Sequence, residues 1–138
     1  MPVPVRVVSV EKSLFEGEAD FILARGADGE LGILPGHSPL ITTLRPGELL
    51  IRHDSESESL FVGGGFLEVL PDRVTVLADI AERADEISVQ AAEEARRHAQ
   101  ERLAGQLSAQ EESEMQQLLE MAEARLRLAR IRRGGGAS

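Results

Sequence analysis

The period of the apolar residues changes once along this chain, near residue 86, and a chain with one such change folds as strands followed by helices. Before it, short β-rich runs occupy residues 3–10, 19–25, 32–34, 40–44, 49–53, 59–62, 66–70 and 73–78. Turn residues separate them: Gly26-Ala27-Asp28-Gly29, Pro35-Gly36, Arg45-Pro46-Gly47, the polar stretch 54–58, and Pro71-Asp72. Several short strands at this spacing predict an antiparallel sandwich or flattened barrel around one core.

After Asp85 and Glu86, Ala92, Ala95, Ala99 and Leu103 recur at helical spacing, which predicts a helix over 88–103. Gly105 is suited to a left-handed stop. Ser108, followed three residues later by Glu111, is a capping-box signature for a second helix over 109–131. Met115, Leu118, Leu119, Ala122, Leu126 and Ala129 form its apolar stripe. The connection is short, so the two helices are expected to pair as an antiparallel hairpin, and the alanines of the first permit close approach.

Charge divides the chain at the same place. The net charge of −9 resides wholly in residues 1–86, with 16 acidic and 7 basic side chains, while residues 87–138 carry 8 of each. This balance argues against non-specific nucleic-acid binding, which draws its affinity from a basic footprint. Within the second part, Arg125, Arg127, Arg130, Arg132 and Arg133 make the C-terminus a local cation. They exceed what a helix C-terminus needs, so an acidic protein surface is as good a target as solvent. No window has the roughly 18 apolar residues of a membrane span, and the N-terminus has no signal-peptide pattern, so a soluble intracellular chain is expected.

Catalytic chemistry finds little support. With no cysteine there is no thiol nucleophile or thiolate metal site, and His37, His53 and His98 have no zinc spacing. Gly63-Gly64-Gly65 is followed by Phe66-Leu67-Glu68 where a phosphate loop needs Lys-Ser/Thr, so it reads as a bulge or a close backbone approach. His37 is the best acid-base candidate, yet Ser38 beside it points away in an extended segment and no nucleophile elbow exists. A turn or interface histidine is the better reading. The cluster 54–58 lacks the glycine and ligand alternation of a calcium loop and reads as a solvated hairpin tip. What remains is a non-enzymatic acidic β unit with a helical hairpin; a small hydrolase or lyase using His37 and a carboxylate, and a helix-in-groove adaptor or chaperone, are the competing classes.

The segment Gly29-Glu30-Leu31-Gly32-Ile33-Leu34-Pro35-Gly36-His37-Ser38-Pro39-Leu40, followed by Leu44-Arg45-Pro46-Gly47, resembles the signature of the epsilon subunit of F-type ATP synthases. Val62-Gly63-Gly64-Gly65-Phe66-Leu67-Glu68-Val69 and Val74-Thr75-Val76-Leu77-Ala78 are similar to its later strand motifs. The resemblance implies an α+β chain: an N-terminal ten-stranded antiparallel β-sandwich over 1–86, an antiparallel two-helix hairpin over 87–133, and a flexible tail over 134–138. It further implies a non-catalytic rotor subunit of the central stalk, peripheral on the cytoplasmic face of a bacterial cell membrane and without a cofactor. The implied partners are the gamma subunit, the c-ring loops, and the alpha and beta subunits of the catalytic head. Glu30 corresponds to the family's polar contact to the c ring, with Gly36, His37, Ser38 and Pro39 in the adjoining interface. The hairpin resembles the arm that inhibits ATP hydrolysis when extended, and Arg125, Arg127, Arg130, Arg132 and Arg133 would then face acidic segments of the beta subunits.

Some members hold ATP through Ile/Leu-Asp-x-x-Arg-Ala. Here the stretch is Ile87-Ser88-Val89-Gln90-Ala91-Ala92, in which both charged members are replaced. Calorimetry on the isolated chain is expected to show weak or absent ATP binding; a low-micromolar dissociation constant would contradict this.

Overall fold

A computed structural model describes residues 1–135, with side chains through residue 131; residues 136–138 of the expected tail, and the side chains of Arg132 and Arg133, lie outside the described residues. The chain divides into two units, Met1–Arg83 and Ala84 onward.

The first unit contains ten strands: β1 (Val3–Ser9), β2 (Ser13–Ala19), β3 (Phe21–Gly26), β4 (Gly29–Ile33), β5 (Leu40–Leu44), β6 (Gly47–His53), β7 (Glu56–Val62), β8 (Gly65–Leu70), β9 (Arg73–Ala78) and β10 (Ala81–Arg83). They hydrogen-bond in the order β10-β7-β6-β3-β5-β8-β9-β1-β2, with β4 attached to β3. All pairings are antiparallel except β1 with β9. A parallel pair cannot be closed by a hairpin, and seven strands lie between β1 and β9 in the chain. The ribbon bends so that the outermost strands β2 and β10 approach each other: Arg83 Nη2 donates to the Leu14 carbonyl across 3.3 Å.

Alternation builds the core. Val3, Val5 and Val7 of β1 are buried, as are Leu67 and Val69 of β8 and Val74 and Val76 of β9. Ile22, Ile33, Leu49, Ile51 and Leu60 complete the same cluster. Each such side chain contributes roughly 1.5–3 kcal/mol on leaving water, which makes this cluster the main source of cohesion of the unit.

Two strands are absent from the apolar pattern. β2 is broken by Glu16, Gly17 and Glu18 and belongs to an outer edge, where burial is one-sided. β10 is three residues long and contains only one apolar residue, Ala81. The expected tip 54–58 is narrower than its polarity suggests: the turn is Asp54-Ser55, with Asp54 at φ 55, and Glu56 already begins β7.

In the second unit a 3₁₀ turn (Ala84–Glu86) precedes α1 (Val89–Leu103) and α2 (Ala109–Gly135), and the two helices pack together. Ser88 caps α1, its Oγ accepting from the Ala91 N–H at 3.2 Å. The capping box at α2 is complete: Ser108 Oγ accepts from the Glu111 N–H, and Glu111 Oε1 accepts from the Ser108 N–H, both at 3.1 Å. The Ser108 backbone and hydroxyl, together with Arg102, hold the Glu111 carboxyl below its usual range. Gly105 does not take the expected left-handed conformation. Its N–H instead bonds the Arg102 carbonyl at 3.2 Å after an α-region cap at Ala104, so α1 ends by tightening its last turn. Ala92 and Ala99 of α1 are buried, as are Ala122, Leu126 and Ala129 of the expected stripe, joined by Ala124 and Leu128.

The glycine run is a close approach between strands. Gly64 and Gly65 have φ of 108° and 124°, and a Cβ on Gly65 would lie 2.1 Å from the Leu77 carbonyl oxygen. Gly36, at φ 82°, has no atom within 4 Å of its would-be Cβ. Gly65→Ala is therefore expected to cost about 3 kcal/mol or more, and Gly36→Ala only about 1–2 kcal/mol. Urea denaturation of the two variants checks the order.

Candidate docking surface

The register that builds the core also exposes a second apolar set. Phe66 of β8 pairs with Leu77 of β9 and Thr43 of β5, and Leu77 pairs with Val8 of β1. One step along, Leu67, Val76 and Val7 pair and point inward. Phe66 and Leu77 are each 53% exposed, and Ile41, two residues from Thr43 on β5, is 70% exposed. These residues share the outer face of adjacent strands, so they form one strip rather than scattered contacts. An apolar strip held open on a sheet marks an interaction surface.

The residues expected from sequence lie elsewhere, along β4. Glu30 is exposed beside the β3–β4 turn, opposite Arg25. Gly36, His37, Ser38 and Pro39 form the loop after the other end of that strand. The three residues from Glu30 to the end of β4, at about 3.3 Å each, put Glu30 roughly 10 Å from the start of the loop. They share a flank rather than a cluster: β4 pairs only with β3, and Leu34, 60% exposed, continues its line into the loop. The loop is closed by the His37 N–H donating to the Leu34 carbonyl at 3.1 Å. His37 Nδ1 donates to the Ser38 carbonyl at 2.7 Å, which commits that nitrogen to the turn.

Among the described residues, the arginines of α2 do not share one side of the helix. At about 100° per residue, Arg127 and Arg130 lie about 60° apart on α2, whereas Arg125 is turned about 160° from Arg127. Arg127 and Arg130 are exposed, and Arg125 is half-buried and engaged in an interaction of its own.

Asp20, His53 and Asp54 bring ligand-type atoms within 4.8 Å of one another. His53 Nδ1 is 3.5 Å from Asp20 Oδ2, and its Nε2 is 3.6 Å from Asp54 Oδ2. Each ring nitrogen thus faces a different carboxylate, so the imidazole is bracketed by charge rather than sharing a metal vertex with both acids. Among the described residues no helix is long and apolar enough to cross a membrane.

The sequence profile of the family described as "ATP synthase, Delta/Epsilon chain, beta-sandwich domain" matches residues 2–84. The ATP synthase epsilon chain of Acidithiobacillus ferridurans is 50% identical over 136 residues, covering 98% of this chain and 96% of that one. The chain belongs to the ATP synthase epsilon chain family. The epsilon chain of Herpetosiphon aurantiacus is 41% identical, covering 96% of this chain and 98% of its own. Two solved structures share the fold. One is a chain of the Euglena gracilis mitochondrial ATP synthase OSCP/F1/c-ring structure (TM-score 0.79, 21% identity, 89% of this chain and 78% of that one). The other belongs to the Tetrahymena thermophila mitochondrial ATP synthase central stalk and c-ring (TM-score 0.70, 14% identity, 94% and 97%). As an epsilon chain the protein is an accessory subunit of ATP synthase rather than a catalytic one.

The apolar strip was missed by the sequence reading, although β5, β8 and β9 carry apolar residues at both alternate positions. That pattern signals strands covered on two faces. If the outer set is held for a partner and not for the fold, Phe66→Ser and Leu77→Ser should each change stability by no more than about 0.5–1 kcal/mol, against about 2–5 kcal/mol for Leu67→Ala. Denaturation midpoints of the three variants check this.

Proposed function

We propose that this epsilon chain is a rotor subunit of the central stalk that couples rotation of the c ring to the catalytic head and restrains ATP hydrolysis through its helices. The observation that carries the reading is the apolar strip of Ile41, Phe66 and Leu77, held open by the register of the core strands in a chain of this family. A stalk subunit must be gripped along a face for torque to pass, and a rigid sheet presenting an aromatic anchor suits that task. The gamma subunit is its occupant. The flank of β4, from Glu30 to Gly36, His37, Ser38 and Pro39, faces the polar loops of the c ring as one elongated contact. The complex is thereby held at the cytoplasmic face of the membrane, with this subunit peripheral.

In the second unit, α1 meets α2 through small side chains such as Ala92 and Ala99. Such a pairing has a modest free-energy gap to an alternative packing, as a regulatory arm requires. Arg127 and Arg130 on one side of α2, with Arg125 on another and Arg132 and Arg133 beyond, supply positive charge for acidic segments of the beta subunits. The alpha subunits complete the surface of the head that the extended arm enters.

Two measurements separate the roles. Phe66→Glu with Leu77→Glu should weaken binding to gamma by about thirtyfold or more, the loss of roughly 2 kcal/mol at an anchor. Unchanged binding would overturn the docking assignment. A chain ending at Glu86 should still assemble while the reconstituted complex hydrolyses ATP faster than with the full chain. Equal rates would remove the inhibitory role and leave the coupling role standing.

A further inference from the structure

The apolar strip carries one charge within its bounds. The pairings that align Thr43, Phe66, Leu77 and Val8 across β5, β8, β9 and β1 also align a second row beside them: Ile41, Glu68, Thr75 and Arg6. Glu68 has Ile41 as its neighbour on β5, and Phe66 lies two residues before it on the same side of β8. The side chain is half-buried, and among the described residues it forms neither an ion pair nor a hydrogen bond. The cations of this face do not meet it. Arg6 lies two strands away, roughly 10 Å at the usual spacing, and its Nε is 3.9 Å from Glu16. Arg73, diagonal to Glu68 across β8 and β9, forms no ion pair among the described residues.

This carboxylate restricts what can cover the strip. A surface that closes over Ile41 and Phe66 also closes over Glu68, which lies beside both. In the free chain water still reaches the carboxylate. Under a wholly apolar partner that water would be lost with nothing in return, and a covered, unpaired charge is strongly unfavourable. The strip therefore selects among partners: Phe66, Leu77 and Ile41 supply contact area, and Glu68 penalises every partner that brings no counter-charge. Resting on the reading that gamma docks on this strip, we infer that the gamma subunit presents one arginine or lysine to Glu68 inside an otherwise apolar contact. Glu68 is thereby a specificity-determining residue of the docking face. The apolar row supplies the grip, and the pairing of Glu68 with the cation fixes where along the strip gamma sits.

Binding of the full chain to the purified gamma subunit tests this through substitutions at one position. Glu68→Gln keeps the shape and removes the charge, and it should weaken binding at least about tenfold by stranding gamma's cation in the contact. Glu68→Leu separates the pair from a carboxylate that merely borders the contact. With no cation opposite, leucine would extend the apolar strip and leave affinity unchanged or raise it; with one, it should lower affinity about as far as glutamine does. Glu68→Asp keeps the charge and should recover part of the loss, which distinguishes a lost ion pair from a disturbed sheet. Arg73→Gln should bind as the parent chain does. Parent affinity in Glu68→Gln, or tighter binding by Glu68→Leu, would overturn the proposal, and gamma docking would stand so long as Phe66→Glu with Leu77→Glu weakens binding. A loss in Arg73→Gln equal to that in Glu68→Gln would assign the counter-charge to this chain itself and overturn the proposal as well. Normal binding by the Phe66 and Leu77 variant would remove the docking reading and this inference with it.

Discussion

The cross-strand register of β1, β8 and β9 is the constraint on which the rest of this molecule depends. One register places Val7, Leu67 and Val76 inside and Val8, Phe66 and Leu77 outside. Because strand side chains alternate with a period of two, a slip of one residue would exchange these sets and expose the core. The start of β8 guards against the slip. Gly65 sits where any side chain would meet the Leu77 carbonyl, so the strands approach fully only when glycine occupies that position. Core and docking strip are therefore two consequences of one pairing, and a slip of register would change both.

The second unit relies on different physics. Ser88 caps α1, Ser108 and Glu111 cap α2, and the Arg102 guanidinium donates to Glu111 across the two helices at 3.2 Å, while the residues buried on α1 are alanines, Ala92 and Ala99. Alanine at the helix contact allows close approach but buries little area per residue. Such a hairpin is stabilised locally while remaining open to an alternative partner, in contrast to the locked register of the sheet.

Much of the fold was legible in sequence, and the exceptions share a cause. Strands with clear apolar runs, the change of period after Glu86, the Ser108/Glu111 box and the structural role of the glycine run all follow from local chemistry. β2 and β10 were not legible because edge strands bury one side or almost nothing, leaving Glu16, Glu18 and Glu82 free to mask the pattern. Gly105 was misjudged because a helix can also end by a tightened turn that needs no left-handed residue. For the surface, the motif drew attention to Glu30 and the loop at Gly36, His37, Ser38 and Pro39, but their separation along β4 is a property of strand length that a motif does not convey. The strip of Ile41, Phe66 and Leu77 is non-local: it exists only once β5, β8 and β9 are paired.

Docking of a partner on the sheet would cover the outer apolar strip when this subunit is in its complex. Hydroxyl-radical labelling of Ile41, Phe66 and Leu77, compared between the free chain and the assembled ATP synthase, tests this directly. All three should react several-fold more slowly in the assembly while exposed Val10, at the β1–β2 turn, keeps its reactivity. Equal labelling of the strip in both states would contradict the account.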